Sequence, residues 1–453
     1  MIRLKPFDRV SYQELRKNYL EALISSDAVA FDPCDIFRNE GRPGSGKSIE
    51  TYDKLGKHPM WRPVQNFLFC PDDLTVNTEH LRLLLAGPEP EDMPKSFGGN
   101  GKYKTMRDVL AYIIGKIQEI KKPDVAKLKR QKKPEEEIAA EQERLNAWNE
   151  CTKIFDYDKF SKSNSNNQGA AYWLQHQLDV KVCPFCNRIY TTTLFNRNVR
   201  PAFDHFYPKS IYPYLAVSLF NLIPICDICN KAKSDHAEIY RKKQIIYPYD
   251  ESFDDYMDEG NTVHVSFRVR PNEDEPLNVL RGQSEMFTLQ FQPTNDKGEI
   301  LEGSRCGILT SVDVRERFPM KDPVYWNRVI NSIELLKLEA LYNTHKNEIM
   351  RILRNHYIYN REAIMSILRS LLQSEYSTAS EASLTLEAQN MLYFANLDPK
   401  DWGITPLNKL KADILKQMDA IEMASNDTVK PLREDEEHGE KRYLSAAGAV
   451  AGV

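Results

Sequence analysis

No run of about 18 apolar residues occurs in this chain, so nothing in it is expected to cross a bilayer as a helix. The opening residues, MIRLKPFDRVSYQELRKNYL, are too polar for a secretory leader. We therefore expect a cytoplasmic protein with no membrane partner. Charge of one sign is lacking as well: 61 Lys and Arg stand against 65 Asp and Glu, a net −4, so no global basic field announces nucleic acid or acidic lipid. Any such surface must be local. No internal repeat is visible. A disulfide framework is missing too, because Cys34, Cys70, Cys151 and Cys306 stand alone while Cys183/Cys186 and Cys226/Cys229 form two C-x-x-C pairs. That is a metal pattern of a reducing compartment.

What is present is room for two or three domains in 453 residues. The fold class expected is α+β, a mainly helical chain with a small embedded metal module and a strand pair after it. Residues 1–155 read as helical, with apolar positions at helical spacing in SYQELRKNYLEALI and TMRDVLAYIIGKIQEI. GPEPEDMPKSFGGNGKYK between them reads as a loop. The segment KKPDVAKLKRQKKPEEEIAAEQERLNAWNE passes from basic to acidic, with Pro134 placed to open its second helix; it is a solvated helical hairpin or, alternatively, a basic block on nucleic acid. Residues 156–255 hold the two C-x-x-C pairs. In 256–321, TVHVSFRV and MFTLQF alternate apolar and polar residues and predict two strands. Residues 322–430 read as amphipathic helices, including REAIMSILRSLLQ, with Pro323 suited to a first helical turn, and 431–453 as a loose tail.

The stretch Gly41 to Ser48, GRPGSGKS, satisfies the spelling of a phosphate-binding loop, G-x-x-x-x-G-K-[ST]. A working loop needs a buried strand running into the glycines and a helix leaving them. The approach CDIFRNE is too polar for such a strand, and the exit meets Gly56 and Pro59 within about a dozen residues. A glycine-rich surface loop is the expectation, and a nucleotide hydrolase the lesser alternative.

The informative stretch runs from Val182 to Asp235. Its two C-x-x-C pairs are 39 residues apart, Asn187 to Ile225, and together offer the four thiolates of a closed tetrahedral site that suits a structural Zn²⁺. Between them lies AFDHFYPKS, with Asp204 beside His205, followed by Asn221 in SLFNLIPICDICNKAK and by Asn230 and Lys233 after the second pair. If Asp204 and His205 lie on a strand they face opposite ways and their roles separate. His205, with an ordinary pKa near ~6.5, is a base available at neutral pH. His236, six residues after Asn230, falls on another helix face and is set aside. Asp250 and Glu251 in YPYDESF are expected to serve a cap or turn, with a metal-facing role as the alternative.

These residues resemble the HNH endonucleases of the ββα-metal fold, in the subgroup whose hairpin and helix are tied by a four-cysteine zinc. The resemblance covers about 60 residues and aligns the three signature positions with His205, Asn221 and Asn230, the last an Asn where the eponymous pattern has His. It implies a catalytic set of His205, Asn221, Asp204 and Asn230. His205 is then the general base, Asn221 the brace across the hairpin, and Asp204 with Asn230 the holders of a divalent ion, Mg²⁺ or Mn²⁺. The substrate implied is nucleic acid, DNA in the first instance. Ten Lys or Arg against four Asp or Glu between Lys181 and Lys243 make a basic island that agrees, with Lys209, Lys233 and Arg188 as candidate contacts. Defence-associated HNH proteins, such as those of Septu-type systems, resemble this layout, and some act beside a separate ATPase. A zinc-stabilised nucleic-acid-binding protein without cleavage is the competing expectation.

Overall fold

The computed structural model describes residues 1–4, 11–37, 46–70, 72, 74–95, 99–162, 169–193, 199–234, 244–258, 260–272, 274–301, 318, 322–359, 366, 388–393, 395 and 397–427. Residues 41–45 of the glycine-rich stretch, most of REAIMSILRSLLQ, His236 and the tail at 431–453 lie outside them. The architecture is α+β, as expected: helices surround a two-stranded and a three-stranded antiparallel sheet. Among the described residues no helix is long and apolar enough to cross a membrane.

The N-terminal region is helical for reasons visible in its periodicity. In α1 (Tyr12–Ser25), Leu15, Tyr19 and Leu23 recur every fourth residue and are buried, and Ser11 caps the first turn. Helix α2 (Gly46–Lys57) follows the glycine-rich stretch. Helix α3 (Met106–Ile117) opens with a Thr105–Asp108 capping box, and its first two amides donate to Asp250, 2.7 Å from Met106 N and 2.8 Å from Arg107 N. Asp250 therefore serves a cap, on a helix far away in the sequence. The basic-to-acidic segment forms two mostly exposed helices, α4 (Val125–Arg130) and α5 (Glu135–Cys151), with Pro134 at the second N-cap. Helices α6 (Tyr157–Ser161) and α7 (Gly169–Leu178) complete the region, and α7 packs against α1.

Strands β1 (Ala202–His205) and β2 (Leu222–Ile225) pair antiparallel, with Asp204 opposite Ile223 and His205 opposite Leu222; α8 (Asp227–Lys233) leaves β2 directly. The 16 residues between the strands are braced by the N-terminal region. Tyr19 Oη donates to Val217 O (2.8 Å), Tyr214 Oη to Gln118 O (2.7 Å), and Ile120 N to Ile211 O (2.9 Å). Beneath the hairpin, the buried hydroxyls of Tyr247 and Tyr249 donate to Phe220 O and Leu222 O.

The expected strand pair is β4 (Asn261–Pro271) and β5 (Phe287–Thr294), extended by β3 (Tyr256–Asp258). Cross-strand Phe267–Phe291 and Val269–Leu289 pairs fill its buried face. The run from Pro323 divides into α9 (Pro323–Leu335), α10 (Leu338–Tyr342) and α11 (Lys346–Ile358), broken first where Lys337 turns left-handed (φ 50°). Helix α12 (Asn408–Asp427) lies along β4, where Asp413 accepts from Phe267 N (3.0 Å) and Gln417 exchanges two 2.8 Å bonds with Val269. These side chains satisfy strand amides that would otherwise be an open edge.

At this seam Asp254 accepts from Lys409 Nζ (2.8 Å) and His264 Nδ1 (2.9 Å), and His264 Nε2 faces Asp296 (2.8 Å). Only imidazolium can donate from both nitrogens. Burial opposes that charge, but the two carboxylates outweigh it and raise the His264 pKa above 6.5. A pKa raised by folding stabilises fully below the unfolded value and loses its effect as pH climbs through the folded one. The thermal midpoint is therefore expected to fall as pH rises from about 6.5 through the raised folded pKa, and His264→Gln to flatten that fall. A wild-type midpoint rising over this interval contradicts the assignment.

Candidate metal and acid–base site

Two turns bring the cysteines together. The first is closed by Cys183 N to Ile189 O (3.0 Å) and Asn187 N to Cys183 O (2.8 Å), with Asn187 left-handed (φ 51°); the second is the N-terminus of α8, where Cys226 is the N-cap and Cys229 sits on the first turn. All four are buried, and their Sγ atoms lie within 4.8 Å of one another. Four sulfurs at about 2.3 Å from a central ion form a tetrahedron with edges near ~3.8 Å. Cys186 and Cys226 Sγ are 3.8 Å apart, a metal spacing and not a disulfide. The cluster can hold one metal ion with no position left for solvent.

The first turn also anchors the C-terminal region. Asn187 donates from Nδ2 to Trp402 O (2.7 Å), and its two oxygens accept from Leu407 N (2.7 Å) and Lys409 N (3.2 Å). Tyr342 Oη on α10 donates to Cys186 O.

Asp204 and His205 diverge as strand geometry requires. Asp204 is buried (5% exposed) and His205 half-buried. His205 Nε2 lies 2.9 Å from Ala216 O. A carbonyl only accepts, so Nε2 carries the proton and the neutral ring keeps a lone pair on Nδ1. Burial, aided by the Lys209 ammonium, pushes the His205 pKa from 6.5 to about 3, so the ring is a neutral acceptor at physiological pH. The Tyr157 ring meets the imidazole edge to face at 4.5 Å, and exposed Lys209 places Nζ 4.6 Å from the same ring's centroid. Lys209 and the imidazole thus share the Tyr157 ring. Tyr157 carries no motif and escapes a sequence reading.

Asn221 is fully buried and braces the hairpin. Its Oδ1 accepts from Tyr207 N (2.7 Å), and Nδ2 donates to Tyr207 O (2.9 Å) and Leu215 O (3.0 Å). The brace falls on the residue after next from His205 and on the peptide preceding Ala216, whose carbonyl orients the imidazole. Asn230 is half-buried on α8.

Lys233 and Arg188 do not occupy the surface positions expected of phosphate contacts. Lys233 is fully buried, and its Nζ donates to Asp204 Oδ1 (3.1 Å), His205 O (3.1 Å) and Phe206 O (3.3 Å). Its position four residues after Cys229 puts it on that cysteine's inward face. Burial raises the Asp204 pKa and lowers that of Lys233, while each charge draws the other back toward its ionised form. Arg188 turns toward the C-terminal helices, Nε donating to His345 Nε2 (2.9 Å) with the guanidinium over Tyr342. Glu251 pairs with Arg328 and with Arg107 (3.6 Å). Among the described residues Asp204 Oδ2 is buried without a hydrogen-bond partner. A buried carboxylate oxygen left unpaired is costly, and a cation is the partner that suits it.

The described part of GRPGSGKS does not form an open phosphate cradle. The amides of Lys47 and Ser48 approach Asp32 Oδ2 (3.0 and 3.4 Å), so an internal carboxylate already serves the N-terminus of α2; Lys47 Nζ pairs with Asp27 (2.6 Å) and Ser48 Oγ accepts from Asp32 N (3.1 Å). Both sheets among the described residues are antiparallel, without the parallel strand such loops follow. Lys47→Ala is expected to cost at most about 1 kcal/mol in a denaturant titration, as for a surface ion pair, and the wild-type protein to hydrolyse no ATP. ATP hydrolysis that disappears in Lys47→Ala overturns this assignment.

Compared with protein-family models, curated proteins and solved structures, the chain matches none.

Proposed function

We propose that the protein is a metal-dependent HNH endonuclease that hydrolyses phosphodiester bonds in DNA. The observation that carries this reading is the His205 ring, held neutral with its Nε2 proton on Ala216 O and Nδ1 left as acceptor, one residue from a buried carboxylate with an unpartnered oxygen. His205 Nδ1 accepts the proton of a water that attacks phosphorus. Asn221 is a positioning residue, fixing the peptides at 207 and 215 on either side of that base. Asp204 and Asn230 would hold a Mg²⁺ or Mn²⁺ ion, which would supply charge neutralisation at the phosphate and at the leaving oxygen. Lys209, exposed and beside the imidazole, contacts the substrate phosphate. The four-cysteine cluster holds a structural Zn²⁺. The resemblance of the cysteine-bearing stretch to defence-associated HNH proteins extends the proposal to a defence role with a separate ATPase as partner.

The test is incubation of the zinc-loaded protein with defined DNA and RNA substrates in Mg²⁺ or Mn²⁺. Cleavage of DNA that stops on adding EDTA supports the proposal. Retention of DNA with no cleavage under any of these conditions favours a binding protein instead, and preferential cutting of RNA replaces the substrate.

A further inference from the structure

The buried Lys233 has no place in the reaction just described, yet its ammonium is inserted at the centre of the site. An ammonium is a compact charge with three donors. Within its reach lie three oxygens from three consecutive residues, Asp204 Oδ1, His205 O and Phe206 O, at 3.1 to 3.3 Å. Helix α8 delivers it there because Cys229, four residues earlier on the same face, is fixed in the metal cluster. Leaving this socket would strand a buried carboxylate, a buried carbonyl and a part-buried one, so the lysine is a permanent fixture and not a counterion waiting to be displaced. The carboxylate is thereby divided unequally: Oδ1 is bound to Lys233, and Oδ2 is buried with no hydrogen-bond partner among the described residues.

From this geometry we infer that Lys233 is a positioning residue for the catalytic ion, holding Asp204 by Oδ1 so that Oδ2 alone ligates the metal. The inference rests on the proposed nuclease site, and it assigns Lys233 to the ion and not to the substrate. The same grip extends to the carbonyls of His205 and Phe206, so one side chain sets the metal ligand and the base relative to each other. Lys209, by contrast, serves the phosphate. Altering Lys233 should move metal dependence, and altering Lys209 should move substrate affinity.

The probe is Mn²⁺ itself, titrated into full-length, zinc-loaded protein and followed by the electron paramagnetic resonance signal of free Mn²⁺. Wild type is expected to bind it and Asp204→Asn to lose it. Lys233→Met is expected to weaken binding by about 10- to 100-fold, the usual scale for groups that orient a metal ligand, with zinc content unchanged. In cleavage assays Lys233→Met should raise the half-saturating Mn²⁺ concentration while leaving KM for DNA within about twofold, and Lys209→Ala should do the reverse. If Lys233→Met fails to retain zinc, Lys233→Arg is read in its place. Its planar fork cannot meet three oxygens clustered about a point, so it too should weaken Mn²⁺. Mn²⁺ affinity that is unchanged or tightened in the folded variant overturns the inference, as does a wild type that binds no Mn²⁺. Mn²⁺ binding that depends on Asp204 and Lys233 without cleavage of any nucleic acid upholds the division of the carboxylate and removes the nuclease reading alone.

Discussion

His205→Ala is expected to lower the rate of DNA cleavage by about 10²- to 10⁴-fold, the range a general base contributes, while zinc content and thermal midpoint stay near wild type. The ring is half-buried, and among the described residues it is held by one backbone carbonyl and an edge-to-face contact with Tyr157, so its loss is expected to remove little packing. The proposed reaction also commits to one nitrogen. With Nε2 committed to Ala216 O, the accepting atom is Nδ1, and His205→Gln should not restore activity although an amide can mimic the Nε2 donor. EDTA and His205→Ala should fail in different ways: chelation is reversed by added Mg²⁺ or Mn²⁺, and the substitution is not. Cleavage by His205→Ala at the wild-type rate removes His205 from the reaction.

The parts of this site that were legible in the sequence are those whose chemistry demands a spacing. Two C-x-x-C pairs can only be two knuckles of one closed cluster if the chain returns on itself, and the Asp204–His205 and Leu222–Ile225 segments supply that return as an antiparallel hairpin. The period-two strands at 261–271 and 287–294 were legible for the same reason. Less legible was the direction in which long side chains point. Lys233 and Arg188 carry the charge expected of phosphate contacts, but tertiary packing sends one to Asp204 and the other to His345. For Lys233 a signal existed, since a residue four positions after a buried cysteine on a helix shares its inward face. For Ala216 none did, because the group that orients His205 is a backbone carbonyl and any residue supplies one. Asp250 and Asp32 illustrate a related limit: each caps a helix that begins far from it in sequence or behind a different motif, so their partners emerge only in three dimensions.

Cys229→Ser is expected to abolish metal binding at the four-cysteine cluster and to unfold more than the hairpin-and-helix module. A structural four-thiolate zinc contributes on the order of 10–16 kcal/mol at neutral pH, comparable to or larger than the 5–15 kcal/mol by which a typical domain is stable. The cluster fixes α8, and with it Lys233, Asn230 and the packing beneath Asp204. Through Asn187 it also fixes the approach to α12, and through the Cys186 carbonyl it holds Tyr342 of α10. Loss of the metal should therefore propagate along both connections. The expected readouts are loss of about one zinc per chain, new protease sensitivity near residues 402–409, and no cleavage at any Mg²⁺ concentration. Cys34→Ser and Cys70→Ser are the controls, since these cysteines lie outside the cluster and are exposed or half-buried; both should keep zinc, stability and activity. The connections separate a structural metal from a catalytic one: removing a catalytic ion leaves α12 and Tyr342 in place, whereas removing this one should free them. A Cys229→Ser protein that loses zinc but keeps its thermal midpoint and the protection of 402–409 would show that the knuckle holds a ligand without holding the fold.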